Sequence, residues 1–566
     1  MTSQTQDWRS RAKAKKQQQL DSIPKEWILR NPPSKDQLNV TDIPRTCGLL
    51  SSREIEITES HVEAILSNLA KGIWSAVEVT TAFSKRAVIA HQLVNCLTEI
   101  FIERGFARAA ELDDYFKRTG KVVGPLHGLP ISLKDQLCVK GLDATMGYVA
   151  WIDKPSEKNS VLVDTLESLG AVFYVKTNIP QTLMFPETYN HIFGRTVNPA
   201  NRALTSGGSS GGEGALVALR GSPLGVGSDI GGSIRIPAGL NGLYGMRPSY
   251  HRTPYAGNVN SLEGLNSVYS VLGPLTTSLE TVKTFMSSVI SKEPWQYDPL
   301  VIRKKWNEDE YRLCDHNGGK QLCFAILWDD GMVRPHPPVL RALETARDAL
   351  TRAGHKVIDW DPAGLAEVNN VASKLWGSVG KQDSLAVTSL SGEHLITTMR
   401  PEVEDLENLF ELPSRYKALN LTAFEFWQVN VLQRQLRQEY LDRWRETANV
   451  TGTGRPVDAI IAPVAPYAAM PHGQHRNAVY TTVWNILDYP AIAIPVTTVD
   501  PILDVKRERS SFYNEDDRTN WEYYGPEKFK DAPVGIQVVG RTLQEEALIG
   551  MTEIVDRSLK TYQPKL

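Results

Sequence analysis

Residues 207–237 read GGSSGGEGALVALRGSPLGVGSDIGGSIRIP. The stretch is dense in serine and glycine and holds no histidine. A serine hydroxyl is a weak nucleophile at neutral pH unless a base takes its proton, so acyl-transfer chemistry here needs a base from elsewhere in the chain. Two other readings compete. A phosphate cradle needs G-x-G-x-x-G or a lysine-bearing loop; GVGSDIGG has Ile230 in place of the third glycine, and no lysine stands in the Walker position. Gly207-Gly208-Ser209-Ser210-Gly211 fits the G-x-S-x-G of a nucleophile elbow, which would pair Ser209 with His472 or His475. Any Gly/Ser run satisfies that pattern, and a polar loop beside Pro471 is the plainer reading of the two histidines.

The elements around this stretch alternate between strands and helices. LPISL (129–133), AVFYVK (171–176), CFAILW (323–328), KVIDW (356–360), DAIIAP (458–463), AIAIPV (491–496) and VGIQVV (534–539) read as buried strands. Helices are expected over 160–169, 338–353 and Phe424–Trp444. Ser60 with Glu63 and Ser75 with Glu78 are spaced as capping boxes, and Thr542 with Glu545 caps a last helix. Continuous β-branched runs between helices imply a largely parallel or mixed sheet covered on both faces. The expectation is a single large α/β/α domain over residues 56–566, against a length prior of several domains for 566 residues. Residues 1–55 read as an N-terminal extension: a solvated charged helix with no apolar stripe, then a proline-marked loop. Residues 506–531 read as a surface insertion. Trp376, Trp427 and Trp444 read as core, and the 365–440 region as a contributor to a substrate cavity.

A net charge of −3 leaves no electrostatic footprint for nucleic acid or an anionic membrane. No apolar run reaches the roughly 18 residues of a membrane span. The five cysteines are scattered without a CxxC pair, which argues against disulfide framework and zinc site alike. A cytoplasmic protein without metal or cofactor is expected.

GPLHGLPISLKD (124–135), the whole 207–238 block, KTNIPQTL (176–183), APVAP (462–466) and APVGIQVVGR (532–541) together resemble the amidase signature enzymes. The resemblance runs from about residue 50 to the C-terminal end and is strongest to the fungal acetamidase-type branch. It implies the amidase signature fold and a Ser–Ser–Lys triad: Ser233 as nucleophile, Ser209 as bridge, Lys134 as base, with a cis peptide bond at Gly208–Ser209. It implies an oxyanion hole from Ile230, Gly231, Gly232 and Ser233, support from Ser210, Asp229 and Arg235, and Leu183 near the substrate, where many relatives carry methionine. Thr145 and Tyr148 follow the lysine strand without an assigned part. Asp143, Glu187 and His191 read as solvated or structural.

The implied base sets a physical condition. A lysine must be brought from about 10.4 to near 7 to act at neutral pH, about 4 kcal/mol, and burial can do this. Asp135 would oppose the change if it pointed inward; adjacent strand residues face opposite sides, so it need not. The implied reaction is hydrolysis of a carboxylic amide to acid and ammonia or amine, on small aliphatic or aromatic substrates. Bulky natural-product, fatty-acid or aryl amides are the alternative substrates. A partner-dependent glutaminase subunit of an amidotransferase is the alternative of another class. The expected partner is a small-molecule amide, and the resemblance suggests a homodimer.

Overall fold

The structure is a computed structural model and describes residues 7–397, 399, 418–475 and 477–562. Residues 400–417, part of the 365–440 stretch expected to help build a cavity, lie outside the described residues, as does the start of the N-terminal segment.

The sheet holds eleven strands among the described residues: β1 (Leu97–Ile100), β2 (Pro130–Lys134), β3 (Val172–Thr177), β4 (Leu224–Asp229), β5 (Tyr244–Arg247), β6 (Val271–Thr276), β7 (Cys323–Ile326), β8 (Lys356–Asp359), β9 (Ala459–Pro463), β10 (Ala491–Thr498) and β11 (Pro533–Val539). Their spatial order is β1-β3-β2-β4-β6-β5-β10-β11-β9-β7-β8. The β3-β2-β4 and β9-β7-β8 groups are parallel, and the strands between them pair antiparallel. Each expected strand is present, and the sheet is mixed.

Alternation along the strands shows why these runs carry so few polar side chains. Phe324 and Ile326 of β7, Ala459 and Ile461 of β9, and Ile536 and Val538 of β11 enter one core cluster. Their neighbours Cys323, Ala325, Ile460, Ala462 and Val539 enter a second. Both faces of the sheet are therefore buried, and neither has a polar set of side chains to show to water.

The helices that bear on the site are α1 (Trp8–Asp21), α2 (Ala76–Val94), α3 (Gly211–Ala218), α4 (Arg235–Leu240), α5 (Leu365–Trp376), α6 (Ala423–Glu446), α7 (Val479–Leu487) and α8 (Glu545–Thr561). The expected cap of α2 is present, with Ser75 Oγ accepting from the Glu78 N–H at 3.0 Å. Two others are not. Ser60 Oγ donates back to the Glu56 carbonyl, and the capping box one helix earlier is Ser51 with Glu54. Thr542 donates to the Asp488 carbonyl, while Glu545 accepts from the Ser249 N–H, so tertiary partners took both groups of the spacing motif.

Helix α1 departs most from expectation. It is docked, not solvated: Trp8, Ala12, Lys15 and Gln19 are buried at a spacing of four, three and four residues. Trp8 and Ala12 pack with Val149, Ile152, Ile192 and Phe193. Lys15 Nζ lies 2.7 Å from Glu99 and 2.8 Å from Asp143, and Gln19 Nε2 donates to the carbonyls of Leu97 and Thr98. Asp143 is thus half of a buried ion pair. The stripe is half polar, which is why hydrophobic periodicity did not reveal it. The 506–531 segment is likewise pinned: Asp517, buried on the helix Glu515–Tyr523, accepts from Arg509 and from the Arg334 N–H. Trp376 and Trp444 are core, but Trp427 is 64% exposed on α6.

Candidate active site

Strands β2 and β4 run parallel, with Ser132 beside Gly225 and Leu133 beside Val226. Their C-terminal ends carry Lys134 and Asp229, the crevice position where open α/β sheets place ligands. Lys134 is 0% exposed. Its Nζ lies 2.6 Å from Ser209 Oγ and 2.7 Å from Ser228 Oγ. Burial strips water from the ammonium and brings its pKa from 10.5 to about 7, against the opposing charges of Asp229, Glu213 and Asp135. Asp135 lies just past the end of β2 and is held elsewhere, accepting from the Met146 N–H at 2.8 Å and from Thr145.

Ser209 follows a cis peptide bond at Gly208. The glycine before it is required by close approach: a Cβ on Gly208 would lie 2.6 Å from backbone atoms of Phe185 and Glu187. Glu187 is buried and structural. Its carboxylate accepts from the N–H groups of Gly473 and His475 and faces Arg195. His472 Nε2 meets the Arg202 carbonyl, while Ser209 Oγ meets Lys134 Nζ. Ser210, expected to assist Ser209, turns to β4. Its Oγ accepts from the Ser228 N–H at 3.3 Å, and its own N–H donates to the Ser233 carbonyl at 3.2 Å.

After β4 the chain makes a tight loop, Ile230–Ile234, into α4. Asp229 organises it. Its carboxylate accepts from the N–H groups of Gly232 (2.8 Å) and Ile234 (3.1 Å), from Arg235 Nε and Nη2, and from Asn485 Nδ2. Burial alone would push this carboxyl up, but the Arg235 charge and these hydrogen bonds outweigh it and hold it well below the usual carboxylate range. Arg235 reaches onward to the Thr481 carbonyl, Gln537 and Asn485. Asp229 and Arg235 are therefore a fully buried pair bracing the loop.

The Gly231 carbonyl is held by the hydroxyls of Thr481 (2.7 Å) and Thr482 (3.1 Å). Among the described residues, the N–H groups of Ile230, Gly231 and Ser233 have no protein acceptor. The Gly232 N–H does have one, Asp229, so it departs from the expected set of four donors. Gly232 contributes shape instead: its φ is +130°, and a Cβ there would lie 2.1 Å from Thr481 Oγ1. Ser233 sits at the loop's end, 9% exposed. The Trp376 indole caps the loop from α5, close enough that a Cβ on Gly231 would meet it at 2.9 Å. Leu183, with φ +63°, is buried with Met146, Tyr148 and Ile179.

Sequence reasoning did not single out Ser228, Thr481 or Asn485, and it read Trp376 as core. Ser228 had a signal, being a hydroxyl beside Asp229 inside the Gly/Ser-rich stretch. Thr481 and Asn485 arrive from α7, more than a hundred residues away, and nothing local marks them.

Comparison with known proteins defines the class. The family model for Amidase matches residues 78–549, and the chain belongs to this family, the amidase signature enzymes; it is an amide hydrolase. It is 44% identical to an acetamidase of Emericella nidulans over 557 residues, 98% of each chain. It is equally identical to an acetamidase of Aspergillus oryzae, over 98% of this chain and 99% of that one. A solved fatty acid amide hydrolase superposes with a TM-score of 0.90 at 35% identity, covering 98% of this chain and 95% of that one. Among the described residues, no helix is long and apolar enough to cross a membrane.

Proposed function

We propose that the chain hydrolyses small aliphatic or aromatic amides through an acyl-enzyme on Ser233, with Ser209 as proton bridge and Lys134 as base. The observation that carries this is the 2.6 Å contact between a fully buried lysine amine and Ser209 Oγ. Neutral Lys134 takes the Ser209 proton, and Ser209 takes that of Ser233. Ser233 Oγ bonds to the amide carbon, and the carbonyl oxygen becomes an oxyanion. The open N–H groups of Ile230, Gly231 and Ser233 suit that oxyanion; such donors contribute several kcal/mol. The C–N bond breaks as the proton returns through Ser209 to the nitrogen, which leaves as ammonia or amine. Water then repeats the relay on the ester and frees the acid and Ser233.

Substrate size is drawn from the acetamidase relatives. Likeness to a fatty acid amide hydrolase favours a second reading, with longer acyl chains. We place the enzyme in the cytosol: Cys47, Cys96, Cys138, Cys314 and Cys323 are all free thiols, as a reducing compartment leaves them. The test is hydrolysis of a panel from acetamide and benzamide through anilides to long-chain acyl amides, with Ser233→Ala alongside. Turnover of small primary amides and a dead variant are expected. An active Ser233→Ala would sink the acyl-enzyme; turnover confined to long acyl amides would favour the second reading.

A further inference from the structure

Lys134 touches two hydroxyls, and the proposed mechanism uses one. The other, Ser228 Oγ, lies 2.7 Å from Nζ. Ser228 is the last residue but one of β4, and its Oγ also donates to Gln136 Oε1. Gln136, fully buried, sits two residues beyond the lysine and donates from Nε2 to Tyr255 Oη at 2.7 Å and to the Val259 carbonyl at 3.1 Å.

The direction of each bond follows from this chain of contacts. A backbone carbonyl only accepts, so Val259 fixes the Gln136 amide with its NH₂ outward and its oxygen toward Ser228. An amide oxygen also only accepts, so it takes the single hydroxyl proton of Ser228. The Ser228 oxygen is left with lone pairs alone to present to Lys134. A neutral amine has two N–H groups and one lone pair, and the bond to Ser228 must use an N–H. The lone pair then has one hydroxyl to face, that of Ser209.

We propose that Gln136 is a positioning residue that, through Ser228, aims the lone pair of Lys134 at Ser209. The inference rests on the Ser–Ser–Lys reading above. Without Gln136, the Ser228 proton is free to turn toward the amine and occupy its lone pair in an unproductive bond. The charged groups around the amine are Asp229 at the end of β4, Glu213 on α3 and Asp135 beyond β2, with the phenol of Tyr255 behind Gln136; none of them changes in the variants below.

The experiment measures kcat, KM and the pH profile of an amide the wild type turns over, for Gln136→Leu, Ser228→Ala, Ser228→Thr, the Gln136→Leu/Ser228→Ala double variant and Lys134→Met. Gln136→Leu is expected to lose kcat by about 10–100-fold with KM held, the size of effect that misplacing a catalytic group has. Its acidic limb moves to lower pH, because a hydroxyl now donating to the amine favours the neutral form. Ser228→Thr keeps the hydroxyl and stays near wild type. The double variant is at least as active as Gln136→Leu, since it removes the misdirected donor. A purely structural role predicts losses that multiply in the double variant and an unmoved limb, and either result overturns the proposal. Should Gln136→Leu not fold, Ser228→Ala against Ser228→Thr decides: equal, wild-type kcat in both overturns it. An active Lys134→Met removes the triad reading itself. A dead Lys134→Met beside an unaffected Gln136→Leu removes only this inference.

Discussion

Lys134, the proposed base, owes its lowered pKa to its address. On the surface it would be a cation at any physiological pH; buried at the end of β2 its pKa stands at about 7. A protonated amine cannot accept a proton, so turnover is expected to rise with pH through about 7, measured as kcat/KM across pH 5–9. Lys134→Met is expected to lower kcat by about 10²–10⁴-fold, the usual worth of a general base, with the fold retained by circular dichroism. Gly232 is the other residue whose identity is dictated by position. Its φ of +130° and the 2.1 Å approach to Thr481 Oγ1 exclude any side chain. Gly232→Ala is expected to cost about 1–3 kcal/mol of stability, read by denaturant melts, and to abolish activity by moving the loop that ends in Ser233.

At the scale of elements, two helices far from the signature stretch act on it. Helix α5 ends at Trp376, whose indole lies over Gly231. Trp376→Ala is expected to open space above the loop and raise the ratio of kcat/KM for larger over smaller acyl amides by about tenfold, the discrimination one or two methylenes' worth of pocket provides. An unchanged ratio across the amide panel would place Trp376 away from the acyl group. Helix α1 is held by Lys15 between Glu99 and Asp143. Removing one partner of a buried pair leaves the other's charge uncompensated, so Lys15→Ala should cost about 3 kcal/mol, seen as a lowered Tm. If α1 were dispensable, the variant would melt as wild type does.

For the whole molecule, burial makes stability depend on acid. His336 and His91 are buried and their pKa values fall from 6.5 to about 4 and about 3. Unfolded, each takes a proton near 6.5; folded, neither does until far lower. Their contribution is therefore present in full above pH 6.5 and is lost as pH falls toward 4. Thermal melts from pH 7.5 to 4 should show this decline, with a shallower slope in His336→Gln, which can still donate to the Asn520 carbonyl that His336 Nε2 meets.

What the sequence by itself determined is what short-range rules govern. Runs such as AIIAP and CFAI are apolar at every position because both faces of the sheet are buried there, and that requirement is written in consecutive residues. The glycines and serines of 207–233 are likewise local demands of tight backbone, and the family resemblance they carry led to the lysine. Local spacing failed where a distant partner competed for the same group, as at Thr542 and Glu545, and where a buried stripe was half polar, as on α1. Only the tertiary structure decided which hydroxyls meet Lys134, that Asn485 and Thr481 brace the loop, and that Trp376 covers it. Those contacts join residues dozens to hundreds of positions apart, and the burial that tunes the lysine is a property of the assembled core. No residue's neighbours in sequence can state it.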